Sequence, residues 1–248
     1  MTEMKEDLDQ YELAYDEDVP FNYDMNIWFS CYIKRLKQLM KGSTCLELGV
    51  GHGHTTNIFS QHIPSYKVIE GSPKIIERFK SKHPDTTVDI IEGYFEDFNT
   101  TEKFDVILMG YVLEHVDNPK QILDKYKKML IPNGSIFAVV PNGSSLNRRF
   151  GLKAGYLKSL DEMSEFDYKC GHKRTFTYES LMSLIEQCNL YIERCEGIFF
   201  KVMSSQQMID AKIPENVMDA MCEVAMDYPE LAGSILVELK YKVVTYEC

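Results

Sequence analysis

The 248-residue chain has no apolar run approaching the roughly 18 to 20 residues that a bilayer-spanning helix needs, so no membrane segment is expected. Basic residues are in short supply: 27 Lys and Arg stand against 38 Asp and Glu, a formal charge of -11. A surface of that sign repels a phosphate backbone unless its cations cluster, and a general nucleic-acid binder is not expected. No two of the seven cysteines (Cys31, Cys45, Cys170, Cys188, Cys195, Cys222 and Cys248) stand at C-x-x-C spacing, and their number is odd. Neither a disulfide framework nor a zinc site is suggested, and reduced thiols in a cytoplasm are the simplest account. The acidic stretch 1–18 lacks the basic-then-apolar order of a secretory signal, so export has no support. Fourteen glycines and nine prolines are too few for a collagenous or largely disordered chain. What is present, 44% hydrophobic and 26% charged residues, is the ordinary balance of a globular chain long enough to bury a core.

Residues 1–41 read as an amphipathic helical cap, with Ile27, Cys31 and the stretch Leu36 to Met40 partly repeating at helical spacing. The aromatics Tyr11, Tyr15, Phe21, Tyr23 and Trp28 form either a lid over a ligand or the apolar face of that cap. Residues 42–248 are expected to form the main domain, which that cap covers. Between Ser43 and Pro141 short apolar runs alternate with helical stretches, the pattern of a parallel sheet with crossover helices. The expected strands are Thr44 to Leu48, Lys67 to Glu70, Thr87 to Ile91, Phe104 to Met109 and Ser135 to Val140. Helices are expected near Thr55 to His62, Pro73 to Lys82 and Pro119 to Leu130, the two prolines suiting first-turn positions whose amides would be unpaired anyway. Asn133-Gly134 marks a turn. Residues 142–175 lose periodicity and read as an insertion over the strand ends, where substrate contacts are expected. Helices at Tyr178 to Cys188 and Glu215 to Met226, and strands at Leu190 to Phe200 and Ser234 to Val244, complete the chain.

The segment Glu47-Leu48-Gly49-Val50-Gly51-His52-Gly53 sets three glycines at alternate positions between an apolar strand and a helix. Glycine lacks the Cβ that would block a ligand and tolerates positive φ, while the following helix offers unpaired amides. A dinucleotide fingerprint would need its third glycine where His54 stands, which weakens a nicotinamide dehydrogenase reading. The spacing instead resembles E-x-G-x-G-x-G, motif I of class I S-adenosylmethionine-dependent methyltransferases. The similarity continues in order through Val68 to Pro73, Glu92 to Asp97, Phe104 to Val116, Leu130 to Ser135 and Gly171 to Thr177, the last resembling the family's G-H-x-R-x-F-[ST] segment.

That resemblance implies an α/β fold: a doubly wound, mostly parallel seven-stranded sheet of Rossmann-like methyltransferase type, its last two strands an antiparallel hairpin. It implies S-adenosylmethionine as the cofactor, with Glu47, Gly49, Gly51 and Gly53 forming its loop and Glu70 with Gly71 taking the ribose hydroxyls. A carboxylate suits that task because its two oxygens meet two donors. Tyr94 and Phe95 stand where the family grips adenine, Tyr94 replacing the usual Asp, so Glu96, Asp97 or backbone must meet the adenine amino group. Gly110 ends the fourth strand beside the donor.

Methyl transfer is an in-line displacement on an already activated carbon, so the protein must mainly align the nucleophile and exclude water. A hydroxyl acceptor must also lose a proton, and a histidine titrating near neutrality is the natural base. His115 and His172 are the catalytic candidates; the alternatives are that His115 orients its loop and that His172 with Arg174 pins the insertion. His52 and His54 read as loop lining, and no metal site is expected. Arg148, Arg149 and Lys153 hold an anionic group of the acceptor or form a solvated patch, and Lys120 to Lys128 reads as an exposed helix face. The function expected is O-methylation of a small molecule, with no nucleic-acid or membrane partner and with a homodimer as one assembly open to it. N-methylation of an amino sugar or other small amine, and a cofactor-binding module without transfer, are the alternatives.

Overall fold

A computed structural model describes residues 6–15 and 22–241, with side chains for residues 6–12 and 26–241. Phe21 and the side chains of Tyr15 and Tyr23 lie outside the described residues, as do residues 242–244 of the last expected strand. The chain opens with a 3₁₀ segment, Leu8–Tyr15, and the helix α1, Asn22–Leu39. A regular alternation follows: β1 Thr44–Leu48, α2 His54–Phe59, β2 Ser65–Glu70, α3 Pro73–Lys82, β3 Asp89–Glu92, β4 Phe104–Gly110, α4 Pro119–Tyr126 and β5 Leu130–Pro141. The second half holds α5 Leu146–Lys153, α6 Glu165–Lys169, α7 Tyr178–Gln187, β6 Tyr191–Ile198, α8 Ser205–Ala211, α9 Glu215–Ala225 and β7 Ser234–Lys240.

The seven strands form one sheet in the order β3-β2-β1-β4-β5-β7-β6. β1 to β5 run parallel, and β7 is inserted antiparallel to both β5 and β6. Successive side chains of a strand point to opposite faces. Leu46, Leu48, Ile107, Met109, Ile136 and Ala138 accordingly pack with α4 and α7 on one side. Cys45, Val106, Leu108, Phe137 and Val139 pack with α1, α2 and α3 on the other. Burial on both faces is why these strands read as unbroken apolar runs rather than as alternating ones.

The caps behave as the sequence implies. Ser72 Oγ accepts from the Ile75 amide and Asn118 Oδ1 from that of Gln121, each with proline in the first turn of the following helix. Asn133, at φ 68°, takes the left-handed conformation, but the expected turn is absorbed into a long β5 whose pairing with β4 shifts register between Phe104 and Val106. The insertion is closed at its base, where Asn142 and Phe176 bridge and the Gly143 amide donates to the Phe176 carbonyl at 2.7 Å. It carries α5 and α6, which its aperiodic sequence did not announce.

Tyr32, Ile33, Leu36 and Met40 of α1 enter the core beside β1 and β4. Two expectations are corrected. Lys127 is buried rather than solvated, its Nζ donating to Asp124 and to the Cys188 carbonyl. Cys31 of α1 and Cys222 of α9 are joined by a disulfide, with Cα atoms 5.9 Å apart, so the reduced-thiol account does not hold for that pair. Their 191-residue separation hides the pairing from any spacing rule. No helix among the described residues is long and apolar enough to cross a membrane.

Candidate functional site

The carboxyl ends of β1, β2 and β4 open into a cavity of about 1030 Å³, roofed by the N-terminal 3₁₀ segment, α1 and the insertion. Its floor is the glycine loop, where Gly49, Gly51 and Gly53 have φ values of 81°, 53° and 80°. All three lie in the left-handed region that a Cβ disfavours. At Gly53 a Cβ would also stand 2.5 Å from the Phe79 ring, so that residue is needed for close packing on α3 as well as for the turn.

Glu70 closes one end of this floor. It is 6% exposed, and its two oxygens are held apart by two amides: Val50 N donates to Oε2 at 2.9 Å and Ser72 N to Oε1 at 2.8 Å. Burial raises its pKa, and the amides of Ser72 and Val50 oppose that rise. The amides of Gly71 and Gly51 also turn toward this carboxylate, so a buried two-oxygen acceptor stands at the edge of the glycine loop. Gly71 and Phe95 also line the cavity.

Glu47 lines the cavity and also ties its surroundings together. Oε1 accepts from Thr55, while Oε2 accepts from Thr56 at 2.6 Å and Tyr66 at 3.0 Å. These three hydroxyls tie the glycine loop to the start of α2 and to β2. Full burial pushes its pKa up to about 7 despite them.

The 3₁₀ segment lies across this donor-side half. Leu8 packs where a Cβ on Gly71 would fall, Asp9 accepts from Ser72 Oγ at 2.5 Å, and Tyr94 Oη donates to the Glu6 carbonyl at 2.7 Å. Tyr94 therefore fastens the strap, besides lining the cavity at the position expected for adenine contact.

The other half is built by the turn after β4. Gly110 must be glycine because Tyr32 Oη would stand 2.2 Å from its Cβ. Tyr111 follows at φ 58°, with its hydroxyl donating to Ser234 Oγ at 3.2 Å. Arg174 then gathers the carbonyls of Leu113, Val116 and Asp117 onto one guanidinium, and the Lys173 amide donates to the Glu114 carbonyl at 2.8 Å. The G-H-x-R segment thus pins the insertion to the β4 turn.

That pinning brings His115 and His172 together, edge to face with ring centroids 4.7 Å apart. Glu114 joins them. It is 1% exposed, neither of its carboxylate oxygens has a hydrogen-bond partner, and burial pushes its pKa up to about 7. Burial, then the neighbouring His172, press the His115 pKa down to about 3, which makes that imidazole a weak proton acceptor. His172 differs because Asp167 Oδ1 lies 3.2 Å from its Nδ1; burial would lower its pKa, but Asp167 and Glu114 raise it. Asp167 is itself held at about 2, where His172 and Ser164 outweigh the effect of burial. Asp167 and Glu114 are the residues that sequence reasoning missed as functional candidates, since neither sits in a spacing that announces a partner in the other segment. The ligand atoms of Glu114, His115 and His172 all lie within 4.8 Å of one another, a two-imidazole, one-carboxylate set that would also suit a divalent ion.

The cap contributes an aromatic wall. Phe29 stands 5.2 and 5.1 Å, centroid to centroid, from His52 and His54, and Trp28 and Tyr32 also face the cavity. The two loop histidines are lining, apart from the Glu114 cluster. Arg148 donates to the Leu160 and Glu162 carbonyls and Arg149 to that of Ser144, so both guanidinium groups brace the insertion.

Comparison with known proteins converges on one family. A profile described as a methyltransferase domain matches residues 27–194. A ubiquinone biosynthesis O-methyltransferase of Actinobacillus pleuropneumoniae serotype 7 is 28% identical over 176 residues, covering 66% of this chain and 71% of that protein. Among solved structures, an S-adenosylmethionine-dependent methyltransferase of Thermotoga maritima, described as a possible histamine N-methyltransferase, covers 94% of this chain and all of its own at TM-score 0.61 and 18% identity. The N-methyltransferase NodS of Bradyrhizobium japonicum, solved with S-adenosyl-L-homocysteine, covers 95% of this chain and all of its own at TM-score 0.57 and 15% identity.

Proposed function

The chain belongs to the S-adenosylmethionine-dependent methyltransferases, and from that premise we propose that it methylates a hydroxyl oxygen of a small molecule held between the β4 turn and the insertion. The observation that carries this reading is that one cavity has Glu70 at one end and the Asp167-backed His172, beside Glu114 and His115, at the other. When bound, S-adenosylmethionine supplies a methyl group on a positively charged sulfur.

The chain's own residues divide the remaining work. Glu70 accepts the ribose hydroxyls with Gly71 beside it, and the loop Gly49, Gly51 and Gly53 lets backbone approach the donor. Glu47 holds that loop rather than the ligand. Tyr94, Phe95 and Gly110 border the adenine and the sulfur-bearing end. Asp167 keeps Nδ1 of His172 occupied, so Nε2 faces the acceptor and takes the hydroxyl proton as the oxygen attacks. His115 supports the cluster, so of the two candidate bases the sequence offered, His172 takes the role. The insertion and the cap exclude water, which would otherwise solvate the nucleophile. The relatives named for O-methylation support the oxygen reading.

The test is incubation of the chain with methyl-labelled S-adenosylmethionine and panels of small alcohols, phenols and amines, read by mass spectrometry. A methyl gain at oxygen that falls at least ~100-fold in His172→Ala, with binding of S-adenosylhomocysteine retained, is the expected result. Gain at nitrogen, indifferent to His172→Ala, overturns the oxygen assignment and leaves methyl transfer standing. Transfer that stops on chelation and returns with added Mn²⁺ or Zn²⁺ would replace the proton-acceptor role of His172 by ion ligation.

A further inference from the structure

Helix α1 is held by Tyr32, Ile33, Leu36 and Met40 in the core, by a two-pronged Arg35–Glu196 ion pair to β6 at 2.6 Å, and, at the turn that reaches the cavity, by one covalent cross-link. α9 is seated hard on β6: a Cβ at Gly197 would stand 2.1 Å from the Ala225 carbonyl oxygen, and the Phe200 amide donates to the Met221 carbonyl at 3.1 Å. Against that fixed helix lies α1, tied through the Cys31–Cys222 disulfide and the Lys34–Asp219 ion pair at 3.1 Å. One turn before Cys31 stands Trp28, and next to it stands Tyr32, both on the cavity wall. Their indole Nε1 and hydroxyl are buried without hydrogen-bond partners, so this wall is positioned by packing, by the Lys201 ammonium over the Trp28 ring at 5.5 Å and by the tether. Both cysteines are half-buried rather than enclosed.

We propose that Cys31 and Cys222 form a reversible thiol–disulfide site that sets how firmly α1, and with it the Trp28–Tyr32 wall of the cavity, is held. The chemistry is exchange with a small thiol of the glutathione class. A thiolate attacks one sulfur of the bond, the other leaves as a thiolate and takes a proton, and a second thiolate resolves the mixed disulfide. Two electrons pass to the protein, two free cysteines result, and the reductant leaves as its own disulfide. The separation of 191 residues means that opening the bond removes a constraint between distant parts of the chain while leaving the sheet intact. This inference is independent of which acceptor is methylated.

The untagged 248-residue chain is equilibrated in glutathione mixtures from fully oxidised to fully reduced, alkylated, and mapped by peptide mass spectrometry. Parallel samples are followed by amide hydrogen exchange over residues 26–39. Cys31 and Cys222 are expected to be protected together in the oxidised mixtures and to become alkylated together as the mixture is reduced. Exchange through α1 is expected to rise at least ~10-fold in the reduced form, and also in the Cys31→Ser, Cys222→Ser double variant, while β1 and β4 keep their protection. Alkylation of both residues in the fully oxidised mixture overturns the proposal, as does α1 exchange that is equal in the two wild-type forms. The wild-type comparison needs no substitution, so a double variant that failed to fold would leave the test intact.

Discussion

The two halves of the cavity treat their buried carboxylates in opposite ways. On the donor side Glu70 meets two backbone amides and Glu47 meets three hydroxyls. On the acceptor side Glu114 is equally buried and has no hydrogen-bond partner at all. The donor side is assembled from contiguous sequence, so its polar groups can be satisfied by near neighbours before any ligand arrives. The acceptor side joins the β4 turn to a distant insertion, and its carboxylate is left for something that binds. A buried polar group without a partner costs free energy, and a site tolerates that cost where a ligand will relieve it.

The largest test of this contrast is Glu70→Ala. Losing two charge-assisted hydrogen bonds to a sugar diol should weaken S-adenosylhomocysteine binding by at least ~100-fold in calorimetry, whereas Glu114→Gln should leave that affinity within about threefold. Equal effects of the two substitutions would erase the division into halves.

Next in size is the pH response of Glu47. Its folded pKa of about 7 lies above the ordinary 4.5, so the folded chain holds the proton more tightly than the unfolded one. Its favourable contribution is complete below about pH 4.5 and is lost as pH rises through about 7, by up to about 3 kcal/mol. Thermal melts of wild type and Glu47→Gln should therefore diverge against the wild type between those limits. A constant difference would mean that the three hydroxyls offset the cost of burial.

Glu114→Gln should by itself stabilise the ligand-free chain at pH 8, by no more than about 1 to 3 kcal/mol, because it removes a buried charge that has no hydrogen bond and that His172 and Arg174 offset only in part. A lower melting temperature would show that the carboxylate is already compensated.

The smallest effect belongs to the strap. Lys173 pairs with Glu6 at 2.8 Å and Asp117 at 2.6 Å in half-exposed surroundings, so Lys173→Ala should cost no more than about 1 kcal/mol of stability. It should speed release of S-adenosylhomocysteine severalfold in stopped-flow measurements; an unchanged rate would remove the strap from the donor half.

Legibility in the sequence follows the same division. β1 at Thr44–Leu48 and α3 at Pro73–Lys82 are readable to the residue, because apolar runs, a serine cap and a first-turn proline act within a few positions. The glycine loop and Glu70 are readable for the same reason. α8 was not, since Ser205–Ala211 is mostly polar and only Met208 is buried. The partnership of Asp167 with His172 was hidden although only four residues lie between them, because the short helix α6 and the left-handed Gly171 decide which way each side chain faces.

By itself the sequence determined the alternation of strands and helices from β1 to β5 and the glycine-rich turn after β1, which rest on local periodicity, turn chemistry and capping, while the doubly wound class and the donor came from the family resemblance of its motifs. Only the tertiary structure decided that His172 rather than His115 has a carboxylate behind it, that Glu114 is buried without a partner, and that Cys31 meets Cys222. Those facts depend on which distant segments pack together, and burial and pairing exist only once the sheet has brought them into contact.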